Sequence, residues 1–167
     1  MLNILKLIFY KILGPNKVAK RLGVKMGENC VLRSSYFGSE PYLIEMGDNV
    51  QTTRGVTFIT HDSLSVIRVK YPEYKNADLF GKIIIGDNVF VGSQSIVLRG
   101  TTIEDNVIIG AGSLVKGHLK SDSVYAGVPA KYICSLDDYI HKNKKDFDYT
   151  KNFTSNEKRD YLLKKFN

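Results

Sequence analysis

From Ile85 an apolar residue returns at every sixth position, and the chain can be cut into IGDNVF, VGSQSI, VLRGTT, IEDNVI, IGAGSL and VKGHLK. Each block opens on Ile or Val, and the fifth places hold Val89, Ser95, Thr101, Val107, Ser113 and Leu119. The same frame runs earlier, as MGENCV and LRSSYF from Met26 and as MGDNVQ, TTRGVT and FITHDS from Met46. Ten of the eleven opening positions are apolar, Thr52 being the exception. A helix would repeat every 3.6 residues and a strand every two, so neither explains six. A solenoid with short flat sides does. One large side chain points inward per side, a smaller inward residue follows four places later, and Gly, Asp or Asn turns the corner. Three such sides make an 18-residue coil, and stacked coils bury a continuous core while pairing one another's strands. A sandwich of short strands would space its turns about 8–12 residues apart.

Two interruptions break the frame. Residues 38–45, GSEPYLIE, fill eight places where six are due, which predicts a small bulge at one corner. Residues 64–84, LSVIRVKYPEYKNADLFGKII, form a longer excursion rich in charge and tyrosine, directly after His61-Asp62. Loops of that length are usually functional. Outside the repeat, residues 1–25 predict a helix to about Leu13, a break at Gly14-Pro15 and a short second helical piece. The resulting map is an N-terminal helical cap at 1–25, an all-β solenoid at 26–135 and a helical tail at 136–167, with helices expected at 136–145 and 156–166. Terminal helices can cap the open edges of a solenoid; the competing reading of the tail is partial disorder.

Composition narrows the function classes. The chain has 167 residues, 43% of them hydrophobic, enough for one domain with a sizeable core and too apolar for a disordered chain. No run approaches the ~18 uncharged apolar residues of a membrane-spanning helix. The net charge of +7 is unevenly placed: +6 on residues 1–25, −2 on 26–130 and +3 on 131–167. Nucleic-acid binding by the main body is therefore not expected, since that would call for a basic stripe. The basic amino-terminal segment permits two readings, a helix packed on its own protein or one resting through residues 1–20 on an anionic membrane surface. Cys30 and Cys134 lack metal-ligand spacing, which points to a reduced, cytoplasmic protein, at the inner membrane surface if the helix binds there. No metal site is expected.

Candidate chemistry centres on His61, one of three histidines with His118 and His141. As the fourth residue of its block it projects outward at the lip of a side, just before the long excursion. Histidine acts as a base near neutral pH with little tuning. Asp62 and Glu40 can each orient its ring, or Asp62 can merely satisfy a turn; Glu40 can also contact an acceptor. His118 occupies the same block position without a neighbouring loop, and His141 lies in the tail.

The segments MGDNVQTTRGVTFITHD, IIIGDNVFVGSQSIVLRGTTIEDNVIIGAGSLVKG and VYAGVPAKYI together resemble the hexapeptide-repeat acyltransferases, over roughly residues 24–133. Within them, the sugar and xenobiotic O-acetyltransferases are most similar, and GSEPYLIEMGDNV with ITHD resembles members acting on capsule or lipopolysaccharide sugars. The resemblance implies a left-handed parallel β-helix, against the right-handed preference of ordinary crossovers, and a homotrimer. It implies acetyl-coenzyme A as a co-substrate lying between subunits, a sugar or glycolipid acceptor, and His61 as the catalytic base, with Asp62 a candidate partner. By the same correspondence Ser93 falls at the thiol end of the donor, Ala111 beside the pantetheine arm, and Lys116 and Lys131 toward the nucleotide phosphates. Phe90 stands where many relatives carry tryptophan. An N-acyltransferase on an amino sugar and a non-catalytic scaffold share this fold and remain alternatives.

Overall fold

The computed structural model describes residues 13–34 and 36–167. The helix expected up to about Leu13 falls almost wholly outside them. Gly14, at φ 75°, turns the chain into helix α1 (Pro15–Arg21), whose first position suits proline because that N–H has no helical partner. Val18 and Ala19 are fully buried against the first coil. Asn16 completes the seal: its Nδ2 donates to the Cys30 carbonyl at 2.6 Å and its Oδ1 accepts from the Leu32 N–H at 2.9 Å. A single amide thus satisfies backbone groups that a further strand would otherwise pair.

The repeat winds through three parallel sheets. The first holds β1 (Lys25–Met26), β2 (Ile44–Met46), β7 (Ile83–Ile85), β10 (Thr102–Ile103) and β13 (His118–Leu119). In the second lie β3 (Gln51–Thr52), β8 (Phe90–Val91), β11 (Val107–Ile109) and β14 (Ser123–Ala126); the third has β4 (Thr57–Ile59), β9 (Ile96–Leu98) and β12 (Leu114–Val115). Ile103 pairs with Ile85, Ile109 with Val91 and Val115 with Val97, each partner 18 residues away. The opening residues from Ile85 to Val115 are all 2% exposed or less, as are Val89, Ser95, Thr101, Val107 and Ser113. The buried hydroxyls turn back to corner carbonyls, Ser113 Oγ donating to Gly110 at 2.6 Å and Thr101 Oγ1 to Leu98 at 2.6 Å.

Three departures from the six-residue frame have local causes. Tyr36, due inward, is exposed, and Phe37 takes the core place, stacked on Phe58 with ring centroids 5.9 Å apart. The bulge at 38–45 puts Met26 opposite Met46, 20 residues on, which is the coil plus the two extra residues. In the last coil Leu119 pairs with Ile103, only 16 residues back, so it opens a side and does not fill a fifth place. The coil also resumes earlier than expected after the excursion, with Ile83 buried and paired to Ile44.

One of the three corners is fixed by a ladder of asparagines. Asn49, Asn88 and Asn106 all sit at φ 56–57°, where most L-residues are strained, and Asp122 follows at φ 53°. Asn49 donates to Asn88 and Asn88 to Asn106, each at 3.0 Å, and Asn106 to Asp122 at 2.9 Å. Beside it, Asp48, Asp87 and Asp105 each accept a backbone N–H of the preceding coil at 2.7 Å.

At the far end β15 (Lys131–Ser135) returns antiparallel along β14 and covers the edge of the second sheet. Helices α3 (Leu136–Asn143) and α4 (Ser155–Phe166) follow, and neither has a buried residue. The edge is thus closed by a strand, whose N–H and C=O groups match it, and not by the helices. Asp148 ties α4 back by accepting from Lys165 Nζ and Tyr161 Oη, both at 2.7 Å.

Two outcomes are expected. Asn88→Ala leaves a β-carbon in the left-handed region and breaks two rungs, so it should destabilise the fold by about 2–3 kcal/mol in urea unfolding. Asn88→Gly keeps the backbone conformation and should lose about 1 kcal/mol. Hydrogen bonds from Lys165 and then Tyr161 hold the Asp148 carboxyl below its ordinary value. Its contribution is therefore present above the usual carboxylate range and lost as pH falls through the lowered value. Amide protection in 155–166 should fade on acidification below about pH 4 before the coils lose theirs, and Asp148→Asn should weaken it already at neutral pH.

Candidate active site

The excursion leaves and returns through a short antiparallel ribbon. Strand β5 (His61–Asp62) pairs with β6 (Leu79–Phe80), His61 opposite Phe80, and Gly81 N–H donates to the Thr60 carbonyl at 2.9 Å. Between them run α2 (Ser65–Lys70) and a short 3-10 turn at Pro72–Tyr74. Zipping the two feet together lets the coil resume in register and holds His61 at the mouth of the insertion.

The bulge brings the second group. Gly38 sits at φ 70°, and a β-carbon there would lie 3.0 Å from the Phe58 carbonyl oxygen and 3.2 Å from Thr60 Oγ1. That close approach sets Glu40 over the third sheet's end. Its Oε2 accepts from Thr60 Oγ1 at 2.7 Å and lies 3.0 Å from His61 Nδ1. With a carboxylate at Nδ1, the ring carries its proton there and leaves Nε2 as the nitrogen able to accept one. The Glu40 side chain is 15% exposed and that of His61 41%. Asp62, the alternative partner, turns away to the Arg99 guanidinium at 2.5 Å. The structure thus gives Glu40 the ring-orienting contact and Asp62 a separate ion pair.

A pocket of about 240 Å³ opens on this group, lined by Ser39, Glu40, His61, Arg68, Asp78 and Phe80 among others. The Phe80 ring lies 6.1 Å from that of His61. Across Asp62 a second hollow of about 280 Å³ is lined by Asp62, Leu98, Arg99 and Lys116. Lys116 therefore sits at the His61 end of the third sheet.

Ser93 and Ala111 lie at the opposite end, where the second sheet hands over to the third. Gly112 N–H donates to the Ser93 carbonyl at 2.8 Å. Ala111 packs over Gly92, where an added β-carbon would lie 2.5 Å from the Ala111 nitrogen. Lys131 opens β15 opposite Ala126, at the same corner. Phe90 is on the outer face of the second sheet, 39% exposed, beside Gln51 and Asn88. Within one chain the structure brings His61, Glu40, Asp62 and Lys116 together; Ser93, Ala111 and Lys131 form another group, separated by the length of a strand.

The remaining candidates are accounted for by packing. His118 Nε2 pairs with Glu104 on the outside of the first sheet at 2.5 Å. Cys30 is buried with its Sγ 3.3 Å from the Gly47 carbonyl, and burial pushes its thiol up, away from the reactive thiolate. Among the described residues no cluster of three His, Cys, Asp or Glu could hold a metal, and no helix is long and apolar enough to cross a membrane. Thr60, Arg68, Asp78, Phe80 and Arg99 were not singled out from sequence. Thr60 at least precedes the histidine; Arg99 lies 37 positions from Asp62, and no local pattern links them.

Comparison with known proteins places this geometry. A family model described as hexapeptide repeat of succinyl-transferase matches residues 82–116. Protein CapG of Staphylococcus aureus is 44% identical, over 97% of this chain and 96% of its own length. The galactoside O-acetyltransferase of Escherichia coli (strain K12) is 33% identical across 69% of this chain, which spans about half (55%) of that enzyme. A solved galactoside acetyltransferase in complex with coenzyme A superposes with a TM-score of 0.55 at 24% identity, covering 83% of this chain and 75% of that one. The six-residue repeat, the three parallel sheets and a near end-to-end match to a relative agree, and the chain belongs to the hexapeptide-repeat acyltransferases.

Proposed function

We propose that the protein is an acetyl-coenzyme A-dependent O-acetyltransferase acting on a sugar hydroxyl in surface-polysaccharide or lipopolysaccharide assembly. The observation that carries this reading is the Thr60–Glu40–His61 chain at the edge of a ring-sized pocket. The coils are read as left-handed, with helix α1 capping the first coil, and the working unit as a homotrimer. The outward side chains of the third sheet support that assembly, since Ile59, Ile96, Leu98 and Leu114 offer an apolar face that closes around a threefold axis. Closure also answers the separation of the two residue groups: a neighbouring chain supplies Ser93, Ala111 and Lys131 to the His61 of the first. The protein is read as cytoplasmic, with peripheral contact at the inner membrane surface proposed for its basic amino-terminal segment.

Glu40 fixes the proton on Nδ1, so Nε2 takes the acceptor hydroxyl's proton as its oxygen bonds to the acyl carbonyl. Bound acetyl-coenzyme A supplies that activated carbonyl, and the bare strip made by Gly92 and Ala111 suits a thin pantetheine arm. His61 then returns the proton to the departing sulfur, and Glu40 stabilises the imidazolium in between. The oxyanion needs a donor, which the Ser93 hydroxyl or a backbone N–H provides. Lys116 and Lys131 serve as point charges for phosphates, and Phe90 keeps an apolar wall. The transfer is direct, since buried Cys30 is a poor nucleophile and Cys134 lies beyond the last coil.

A thiol-release assay with acetyl-coenzyme A across sugars, antibiotics and amino acids tests the activity; turnover confined to non-sugar acceptors would overturn the reading. His61→Ala should lower turnover by ~10²–10⁴ with the donor KM little changed. Glu40→Gln, which removes the charge but keeps an oxygen, should cost ~10–10². Cys30→Ser should keep substantial activity. Sedimentation equilibrium should show a trimer, and a fully active monomer would contradict the shared site.

A further inference from the structure

The excursion contributes more to the pocket than closure. Arg68 on α2 and Asp78 just before β6 face each other there, Nη2 to Oδ1 at 3.0 Å, and both line the cavity that holds His61. We infer that these two residues are a donor–acceptor clamp that makes the pocket selective for a neutral, polyhydroxylated ring and turns away rings bearing a carboxylate or phosphate. The inference rests on the reading of this pocket as the acceptor site.

Charge balance is the first support. The lining carries three carboxylates, Glu40, Asp62 and Asp78, against one guanidinium, Arg68. Each carboxylate is already matched: Glu40 by His61 and Thr60, Asp62 by Arg99, Asp78 by Arg68. An entering anion meets acidic groups and no uncommitted cation, and an ammonium finds no unpaired carboxylate. A neutral ring disturbs none of these pairs, so desolvation is the smaller cost.

Hydrogen-bonding capacity is the second support. Arg68 Nε is buried and has no partner in the protein. That nitrogen is sealed from the cavity, and the guanidinium meets Asp78 through Nη2, so its terminal N–H groups are the ones open to a ligand. A hydroxyl is both donor and acceptor, so two adjacent hydroxyls fit the pair: one oxygen accepts from Arg68, and the other hydroxyl donates to Asp78. A carboxylate can satisfy only the first contact. Phe80, about half exposed beside the His61 ring, gives the C–H face of a sugar ring an apolar surface. The volume of about 240 Å³ lies below that of pockets for drug-sized ligands, and suits a single ring.

The test uses the full chain and two glycosides sharing one aglycone, p-nitrophenyl β-D-galactopyranoside and p-nitrophenyl β-D-glucuronide. Binding is read by ligand-observed NMR without donor, and transfer by thiol release. The wild type should bind and acetylate the galactoside at least about tenfold better than the glucuronide. Arg68→Gln and Asp78→Asn should each raise the galactoside KM about tenfold with the acetyl-coenzyme A KM unchanged. Asp78→Asn, having lost a repelling charge, should also narrow the gap to the glucuronide, which damage to folding alone would not do. Glucuronide binding equal to or tighter than galactoside binding overturns the inference, as does an unchanged galactoside KM in both variants. His61→Ala separates the two readings: it should bind the galactoside normally while transferring to it ~10²–10⁴-fold more slowly. Normal transfer by that variant would remove the base assignment and leave the clamp standing.

Discussion

The stacking of one corner on the next governs the molecule. At each GDN-type corner an asparagine adopts a conformation that few L-residues tolerate, and its amide then bonds to the same residue one coil on. The neighbouring aspartate accepts an N–H from the coil before. Room for that carboxylate exists because the residue it covers is glycine: a β-carbon at Gly27, Gly47 or Gly86 would collide with Oδ1 of Asp48, Asp87 or Asp105. Where the last coil offers Ser121 and no aspartate, the glycine position holds Glu104, whose Oε2 accepts the Ser121 N–H at 2.9 Å. Its carboxyl lies below the ordinary range, chiefly because of that bond. Along this edge of the solenoid each coil repeats the geometry, which keeps the six-residue sides in register. The inward hydrophobic column is aligned by the ladder.

A scaffold this regular needs interruptions to build a concave site. Both occur close together, at the bulge of 38–45 and the excursion after His61. The bulge is admitted by Gly38 and delivers Glu40; the excursion is zipped by the β5–β6 ribbon and delivers Arg68, Asp78 and Phe80. His61, the proposed base, stays on the coil, directly after the fully buried Thr60. Residues proposed to distinguish acceptors sit on the insertion, where the repeat places no demand on their identity.

The two ends of the third sheet divide the proposed work. His61, Arg99 and Lys116 occupy one end, Ser93, Ala111 and Lys131 the other. In the proposed trimer an adjacent copy brings the two groups together. On that reading catalysis depends on assembly.

The sequence by itself determined the period, the inward residues, the corners and the candidate base, because each follows from rules that act within one block. Val91, Ser95 and Val97 are buried for the same reason that their positions recur. It also marked both interruptions, since a break in a strict period is visible without coordinates. Their contents were another matter. That Glu40 and not Asp62 meets His61 depends on a bulge crossing from the neighbouring coil, 21 residues away, and that Asp62 is held by Arg99 depends on a contact over 37 residues. Frame slips at Phe37 and Leu119 likewise came from packing against the next coil. Local periodicity encodes which way a side chain faces; which partner it finds there is decided when the coils stack.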